Sequence, residues 1–337
     1  MAHSNLLFET HNPKLDVYIK DEEDQMPEAL YSKIFEVKTI DRLDMLEKTY
    51  SGLGPMDEVG EQGNAVEDQS LDGYGYTYSK RYFRKKTVFS KPMLNNDQTG
   101  KVEEMARDLP RSQRYSREMY IWGMIRNAFN VSYLFGDGKA VVSVLHPLKS
   151  GGTFCNTFTS GVQKPLSYDN ALELQDVMNA FTSNSGNIMT VADQTKNKVI
   201  FGPPPLREKL FQIAGTEGPD RKPGDFINDN NYFRKGDKFD VMVVPWIKYE
   251  VALQAGDTAV AKTSSSNIWD AMWGIIDMSL IKKYFRVYQE PGYPNYDSDV
   301  NKENESIIKY AYDHYCFGNT APLCIAMSKA DNSTLAT

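Results

Sequence analysis

The sequence predicts an α+β protein, with helices near the middle of the chain and strands towards both ends. Apolar residues recur every three or four positions through residues 102–129, which is typical of a long amphipathic helix. Alternation typical of a strand marks residues 74–82, and short apolar runs at 239–244, 307–317 and 323–327 predict further strands. The short loop between the last two runs favours a β-hairpin.

Composition limits the classes of function. The 337 residues carry 38 Lys and Arg against 45 Asp and Glu, a net charge of −7, which disfavours a protein whose main task is to bind a polyanion. Four His and three Cys provide little material for metal sites or nucleophiles. Cys155, Cys316 and Cys324 match no metal-binding spacing and are expected to be reduced thiols.

Motif searches find no catalytic or nucleotide-binding signature. Gly138-Lys139 lacks the first glycine and the hydroxyl residue of a phosphate-binding loop, and no GxGxxG or GxSxG pattern occurs. His146 and His314 lie in strand-like contexts and are expected to be structural. The start of the chain has no secretory signal, and its apolar runs are too short to span a membrane. We therefore expect no enzyme activity, catalytic residue, metal or cofactor, and no membrane association.

Charge is segregated between residues 47 and 92. The acidic stretch 51–72 contains no Lys or Arg, and a basic stretch follows it on a strand that carries tyrosines on one face. Exposed tyrosines beside opposed charges would be adhesive on a monomer, so we expect this hairpin to lie on a neighbouring subunit. The alternative is a hairpin that folds onto its own body. The residues expected at the subunit contact are Tyr74, Tyr76, Tyr78, Lys80, Arg81, Tyr82, Arg84, Lys85 and Lys86.

The long central helix carries a second candidate surface. Arg107, Arg111, Arg114 and Arg117 are spaced to lie along one helix face, where they can contact phosphate nonspecifically or remain as a solvated face. Pro110 is expected to kink or divide this helix.

Shorter elements complete the prediction. A helix is expected over 168–182, capped by Ser167, and a second helix is expected through 206–213. Strands are predicted at 140–145, which leads to His146, and at 198–201. A polar loop is expected at 215–237.

The order of these elements resembles the major capsid protein of tailed phages, with the Hong Kong 97 type of fold. The resemblance runs from about residue 27 to residue 327. It rests on an arm, a charged hairpin that opens with Gly52-Leu53-Gly54-Pro55, a long basic helix, and Gly136-Asp137-Gly138-Lys139 leading to His146-Pro147-Leu148. The strand, proline and helix of 199–213 and the 241–245 strand follow in the same order.

The resemblance implies five regions. They are an N-terminal arm (1–46), an extended β-hairpin loop that crosses the adjacent subunit (47–92), a peripheral domain with a spine helix (93–152), an axial domain (153–276), and return strands of the peripheral domain with a C-terminal tail (277–337).

It also implies a function. The expected protein assembles with itself into pentamers and hexamers of an icosahedral shell around double-stranded DNA, in the virion, after assembly in the host cytoplasm. Expected partners are a separate scaffolding protein, a portal, a decoration protein, and DNA held by nonspecific contact. Alternatives are an encapsulin-like compartment shell and a phage tail or decoration protein.

Overall fold

The computed structural model describes residues 2–50, 56, 58–59, 64, 67, 72–183, 197–214, 239–257, 269–301 and 303–329, with side chains from residue 9 onward. The polar loop predicted at 215–237 and most of the acidic stretch 51–72 lie outside the described residues.

The described elements confirm a mixed α+β protein. The helices are α1 (Ala2–Gln25), α2 (Leu30–Ile34), α3 (Lys91–Asn95), α4 (Lys101–Ile121), α5 (Gly123–Arg126), α6 (Tyr168–Asn179), α7 (Arg207–Ala214), α8 (Tyr249–Ala255) and α9 (Ile281–Tyr284). The strands are β1 (Glu36–Thr39), β2 (Asp44–Tyr50), β3 (Asp72–Ser79), β4 (Arg81–Ser90), β5 (His146–Pro147), β6 (Thr153–Phe154), β7 (Lys198–Gly202), β8 (Asp240–Val243), β9 (Trp273–Asp277), β10 (Phe285–Gln289), β11 (Asn295–Asn301), β12 (Ser306–Asn319) and β13 (Ile325–Ser328).

A five-stranded sheet is built around the long strand β12. One edge of β12 pairs with β4, and its other edge pairs with β11 and then β10, all antiparallel; β1 adds to β10 in parallel. Helices α1 and α4 cover one side of this sheet, where Phe89, Ile307 and Ala311 pack against α4 residues such as Ala106 and Leu109. The sheet therefore joins distant parts of the chain.

A second, four-stranded sheet has the order β13-β9-β7-β8. Its apolar residues form a core with α6 and α7, in which Leu174, Leu210, Ile200 and Ile275 are fully buried. The strands predicted at 198–201 and 239–244 and the helices predicted through 168–182 and 206–213 are confirmed. The Ser167 hydroxyl caps α6 by accepting a hydrogen bond from the Asn170 amide.

The predicted C-terminal hairpin is wrong. β12 lies in the five-stranded sheet, whereas β13 crosses to the four-stranded sheet and pairs with β9. β13 forms one edge of that sheet, and all of its residues are buried there, so its apolar side chains are removed from water. The strand predicted at 140–145 is also wrong, since only His146–Pro147 forms a short strand there, paired with β6.

Helix α4 runs unbroken through Pro110, so the predicted division is wrong. Proline removes one backbone donor from the helix. The neighbouring Ala106 and Leu109 are buried against α1 and the five-stranded sheet, and this packing holds the helix together across the missing bond.

The predicted N-terminal arm begins with the helix α1. Few of its side chains are apolar, but Leu15 and Ile19 are buried against α4, and Glu22 forms ion pairs with Arg107 and Arg111. Tertiary contact with α4, more than local sequence preference, stabilises α1.

Truncation of a buried α1 residue tests this packing. We expect Ile19→Ala to lower the free energy of unfolding by about 2–4 kcal/mol, because it removes a fully buried side chain. Val17→Ala is the matched control on the same helix, because Val17 is 54% exposed. Chemical denaturation of the purified subunit measures both, and equal losses would contradict the docking of α1 on α4.

Candidate interaction surface

The region predicted as one hairpin divides between two sheets. β2 and β3 form a two-stranded hairpin, but β4 leaves it after Lys80 and pairs with β12 along its whole length. The prediction that 47–92 is a single β-hairpin is therefore wrong for β4. Because β12 offers β4 a full-length partner, this strand belongs to the body of the subunit.

The base of the hairpin packs on its own subunit. Tyr78 is 1% exposed and lies edge-on to Tyr288, at 4.8 Å between ring centroids. Tyr76 stacks on Phe135 and lies against Gly318, where any side chain would collide with the Tyr76 ring. Burial raises the pKa of both tyrosines. The expectation that these two side chains are exposed for a neighbour is wrong, and the alternative of a hairpin folded on its own body holds at its base.

Strand β4 alternates between two environments. Phe83 stacks on Tyr315, and Lys85 Nζ donates to the Ser112 hydroxyl at 2.5 Å, so the odd-numbered side chains face α4. Tyr82, Arg84 and Lys86 are exposed and project from the opposite side, because side chains alternate along a strand. We call this side of the five-stranded sheet the outer face.

The outer face combines cations with tyrosines. Tyr310 and Tyr312 of β12 stack at 5.9 Å, and the Arg84 guanidinium lies 5.7 Å from the Tyr312 ring centroid. Arg84 and Lys86 form no ion pair with any residue in the described ranges. Arginine and tyrosine are enriched where proteins bind one another. Cations on the edge strand β4 also prevent unwanted pairing between sheets.

The other predicted contact residues have partners within the subunit. Lys80 Nζ lies 3.0 Å from Glu290, and its side chain is 5% exposed. The Arg81 guanidinium lies over the Phe317 ring, and Lys149 lies over the ring of Tyr74. The structure thus places Tyr82, Arg84 and Lys86 on the outer face and buries most of the Lys80 side chain. Arg81 and Lys85 are also exposed, but they have contacts with Phe317 and Ser112 of the same subunit.

The arginines of α4 are paired with acidic and backbone partners. Arg107 and Arg111 share Glu22 of α1, and Arg114 donates to the Pro27 carbonyl at 2.6 Å. Arg117 is buried and forms a two-bond ion pair with Asp313, at 2.5 and 2.6 Å. This burial contradicts phosphate contact by Arg117, while contact by the other three arginines stays a prediction.

The histidines and cysteines show no catalytic arrangement in the described ranges. His146 is fully buried, with Nδ1 at 2.6 Å from Asp137 and Nε2 at 3.2 Å from Asn156, which confirms a structural role.

Burial raises the pKa of all three unpaired thiols. Within these ranges no group of three acidic, His or Cys residues could hold a metal ion, and no helix is both long and apolar enough to cross a membrane.

No protein-family model and no curated protein matches this chain. Among solved structures, the mature capsid of bacteriophage PhiM1 matches with a TM-score of 0.50 at 9% identity, over 91% of this chain and 89% of that one. The chain has a phage capsid fold. A chain of Microbacterium phage Oxtober96 matches at 0.49 and 10% identity, over 91% and 93% of the two chains. The procapsid of bacteriophage JBD30 matches at 0.48 and 10% identity, over 97% and 76%.

Two arginines of α4, Arg117 and Arg111, differ in burial, which predicts different effects of their removal on the stability of the subunit. We expect Arg117→Ala to lower the free energy of unfolding by about 3–5 kcal/mol, because it leaves the buried Asp313 carboxylate without its partner. Arg111→Ala is the control, with little effect, because its side chain is half exposed. Denaturant titration of both variants would contradict this assignment if the Arg117 variant were as stable as the control.

The acidic residue that joins α1 to α4 predicts a pH dependence. Hydrogen bonds from Arg111, and then from Arg107, hold the pKa of Glu22 below its ordinary value. Its stabilising effect is therefore present above that ordinary pKa and is lost as pH falls through the lowered one. We expect the amide protection factors of α1, which are corrected for the intrinsic pH dependence of exchange, to fall over this acidic interval in the wild type and to change less in Glu22→Gln. Identical pH profiles would contradict the role of Glu22.

Proposed function

We propose that this chain is the major capsid protein of a tailed phage, a structural protein without enzyme activity or cofactor. The observation that carries the proposal is the likeness to the PhiM1 capsid over nine-tenths of the chain. In this proposal the chain assembles with itself into pentamers and hexamers of an icosahedral shell that encloses double-stranded DNA.

The five regions implied by the resemblance are proposed with two adjustments, of which the first leaves β4 in the body of the subunit instead of the extended loop. The five-stranded sheet with α4 suits a peripheral domain and its spine helix, and the four-stranded sheet with α6 and α7 suits an axial domain. β10, β11 and β12 fit the proposed return strands. β13 belongs with the proposed axial sheet, since it pairs with β9.

The proposed contact between subunits joins opposite charges. Arg84 and Lys86 on the outer face lack acidic partners in the described part of their own subunit, and the stretch 51–72 offers six acidic residues without a cation. An adjacent copy can therefore supply the missing carboxylates. Each such contact is weak, but a closed shell repeats it many times, and simultaneous engagement makes the assembly durable.

Contact with DNA is proposed to be limited. A subunit with a net charge of −7 offers a polyanion little overall attraction, so a packaging motor must force the genome in. Arg111, which is half exposed, and its neighbours Arg107 and Arg114 are the arginines of α4 proposed to contact phosphate. The proposed partners are a separate scaffolding protein, a portal and a decoration protein, with assembly in the host cytoplasm.

Electron microscopy tests the proposal. The purified chain, expressed alone and together with a scaffolding protein, is expected to form closed icosahedral particles. Only monomers or small oligomers in both preparations would overturn it. Particles that copurify with a stoichiometric enzyme cargo would favour an encapsulin-like compartment instead.

Charge reversal on the outer face tests the contact chemistry. We expect Arg84→Glu with Lys86→Glu to abolish or misdirect particles while the subunit stays folded, because both side chains project away from the core. The control applies the same charge change to two exposed lysines of α9, Lys282→Glu with Lys283→Glu. Particle yield and circular dichroism measure the two effects, and equal loss of particles in both variants would assign the effect to net charge and contradict the contact.

A further inference from the structure

The link from the hairpin β2–β3 to the five-stranded sheet is very short. Lys80 is the single residue between β3, in the two-stranded hairpin, and β4, in the five-stranded sheet. A two-stranded hairpin is only marginally stable by itself in water. The direction in which it leaves the subunit therefore depends on the side chains that hold its base.

Residues in and directly after β10 contact the hairpin at β2 and at the junction residue Lys80. Arg286 pairs with Glu47 of β2, and the Tyr288 hydroxyl donates to the same carboxylate at 3.0 Å. Glu290, which directly follows β10, receives Lys80 Nζ at 3.0 Å. Residues 286, 288 and 290 alternate with positions that face the other way, so they project from one side of the strand. This face of β10 and the residue after it thus bind β2 and the junction that follows β3, each by one ion pair.

These two ion pairs are shielded from solvent. The side chains of Lys80 and Glu290 are 5% and 27% exposed, and those of Arg286 and Glu47 are 16% and 19% exposed. Loss of one partner from a shielded pair leaves the other charge poorly solvated, which costs more than loss of a surface pair. The pair of Lys91 and Glu305, at 35% and 45% exposure, is an ordinary surface pair and gives a comparison within the same chain.

Glu290 is itself held in place. Its second carboxylate oxygen lies 2.8 Å from His314 Nδ1, and the His314 ring stacks on Tyr293 at 4.0 Å and meets Tyr82 edge-on at 4.7 Å. The hydrogen bond from Lys80, followed by that from His314, lowers the pKa of Glu290. The carboxylate is therefore fixed in one position between the hairpin junction and β12.

We propose that Arg286 and Glu290 are positioning residues that set the direction in which the β2–β3 hairpin leaves the subunit. This inference rests on the proposed function, because the direction of the hairpin then decides whether a neighbour is met at the angle that a closed shell requires. We call these two residues the clamp. The clamp acts through Glu47 and Lys80 and needs no direct contact between β10 and the neighbouring copy.

Hydrogen exchange on the unassembled subunit tests the clamp. We expect Glu290→Gln and, separately, Arg286→Gln to accelerate amide exchange in β2 and β3 by at least about tenfold, with little change in β12. Glu305→Gln is the matched control, with unchanged exchange in the hairpin. The double variant Lys80→Glu with Glu290→Lys restores the opposite charges and is expected to return exchange to near the wild-type rate.

Particle morphology gives the second readout. Glu290→Gln is expected to produce open sheets or particles of mixed size from a subunit whose β12 amides stay protected. Unchanged hairpin exchange in both single variants, or equal acceleration in β12, would overturn the clamp. Identical closed particles from the wild type and Glu290→Gln would overturn its role in assembly and leave the proposed function standing. Absence of particles from the wild type would overturn the proposed function. The exchange data would still test whether Arg286 and Glu290 hold the hairpin.

Discussion

The pairing of β4 with β12 is the constraint on which the other features of the subunit depend. It joins residues 81–90 to residues 306–315, more than two hundred positions apart, in an unbroken antiparallel register. The same strand β12 accepts β10 and β11 on its other edge. Its Asp313 neutralises the buried Arg117 of α4, so the long helix is tied to the sheet by charge as well as by apolar contact. Loss of this register would remove the platform on which α1, α4 and the hairpin lie.

The two sides of the five-stranded sheet make different contacts. The side towards α4 is filled by the apolar residues of β4 and β12 and by the ion pair of Arg117. The outer face is divided: the hairpin base covers Cys316 and Gly318 near one end of β12, and Tyr310 and Tyr312 stay partly open near the other end. In the proposed shell, the covered half orients the hairpin and the open half receives a neighbour. The strand β12 would then contribute both to the orientation of its own subunit's hairpin and to the surface that binds the hairpin of a neighbouring subunit.

Local patterns predicted those parts of the fold that depend on nearby residues. The apolar spacing of α4, the Ser167 cap of α6 and the strands β7 and β8 could all be identified because each signal lies within a few positions of the element. Helix α1 could not, since its stability comes from α4. The short link between β12 and β13 favoured a hairpin, but the buried edge of β9 provided a better partner for β13. Pairing between distant strands leaves no mark in local sequence.

The same distinction applies to the candidate site. Alternation predicted a face of tyrosines along residues 74–82, but it could not show that Gly318 makes room for Tyr76 or that Glu290 pairs with Lys80. The arginine spacing on α4 was visible, whereas the partners Glu22 and Asp313 come from opposite ends of the chain. Burial by remote elements thus decides which charged side chains are left for other molecules.

In the proposed shell, the paired strands β4 and β12 form the outer face, and Arg286 and Glu290 direct the hairpin of one subunit onto that face of the next. A cryo-electron microscopy reconstruction of assembled particles tests this most directly. We expect density for a hairpin that crosses a subunit boundary and ends beside Arg84 and Lys86 of the adjacent copy. Density that returns over the outer face of its own subunit, with those two cations facing solvent, would contradict it.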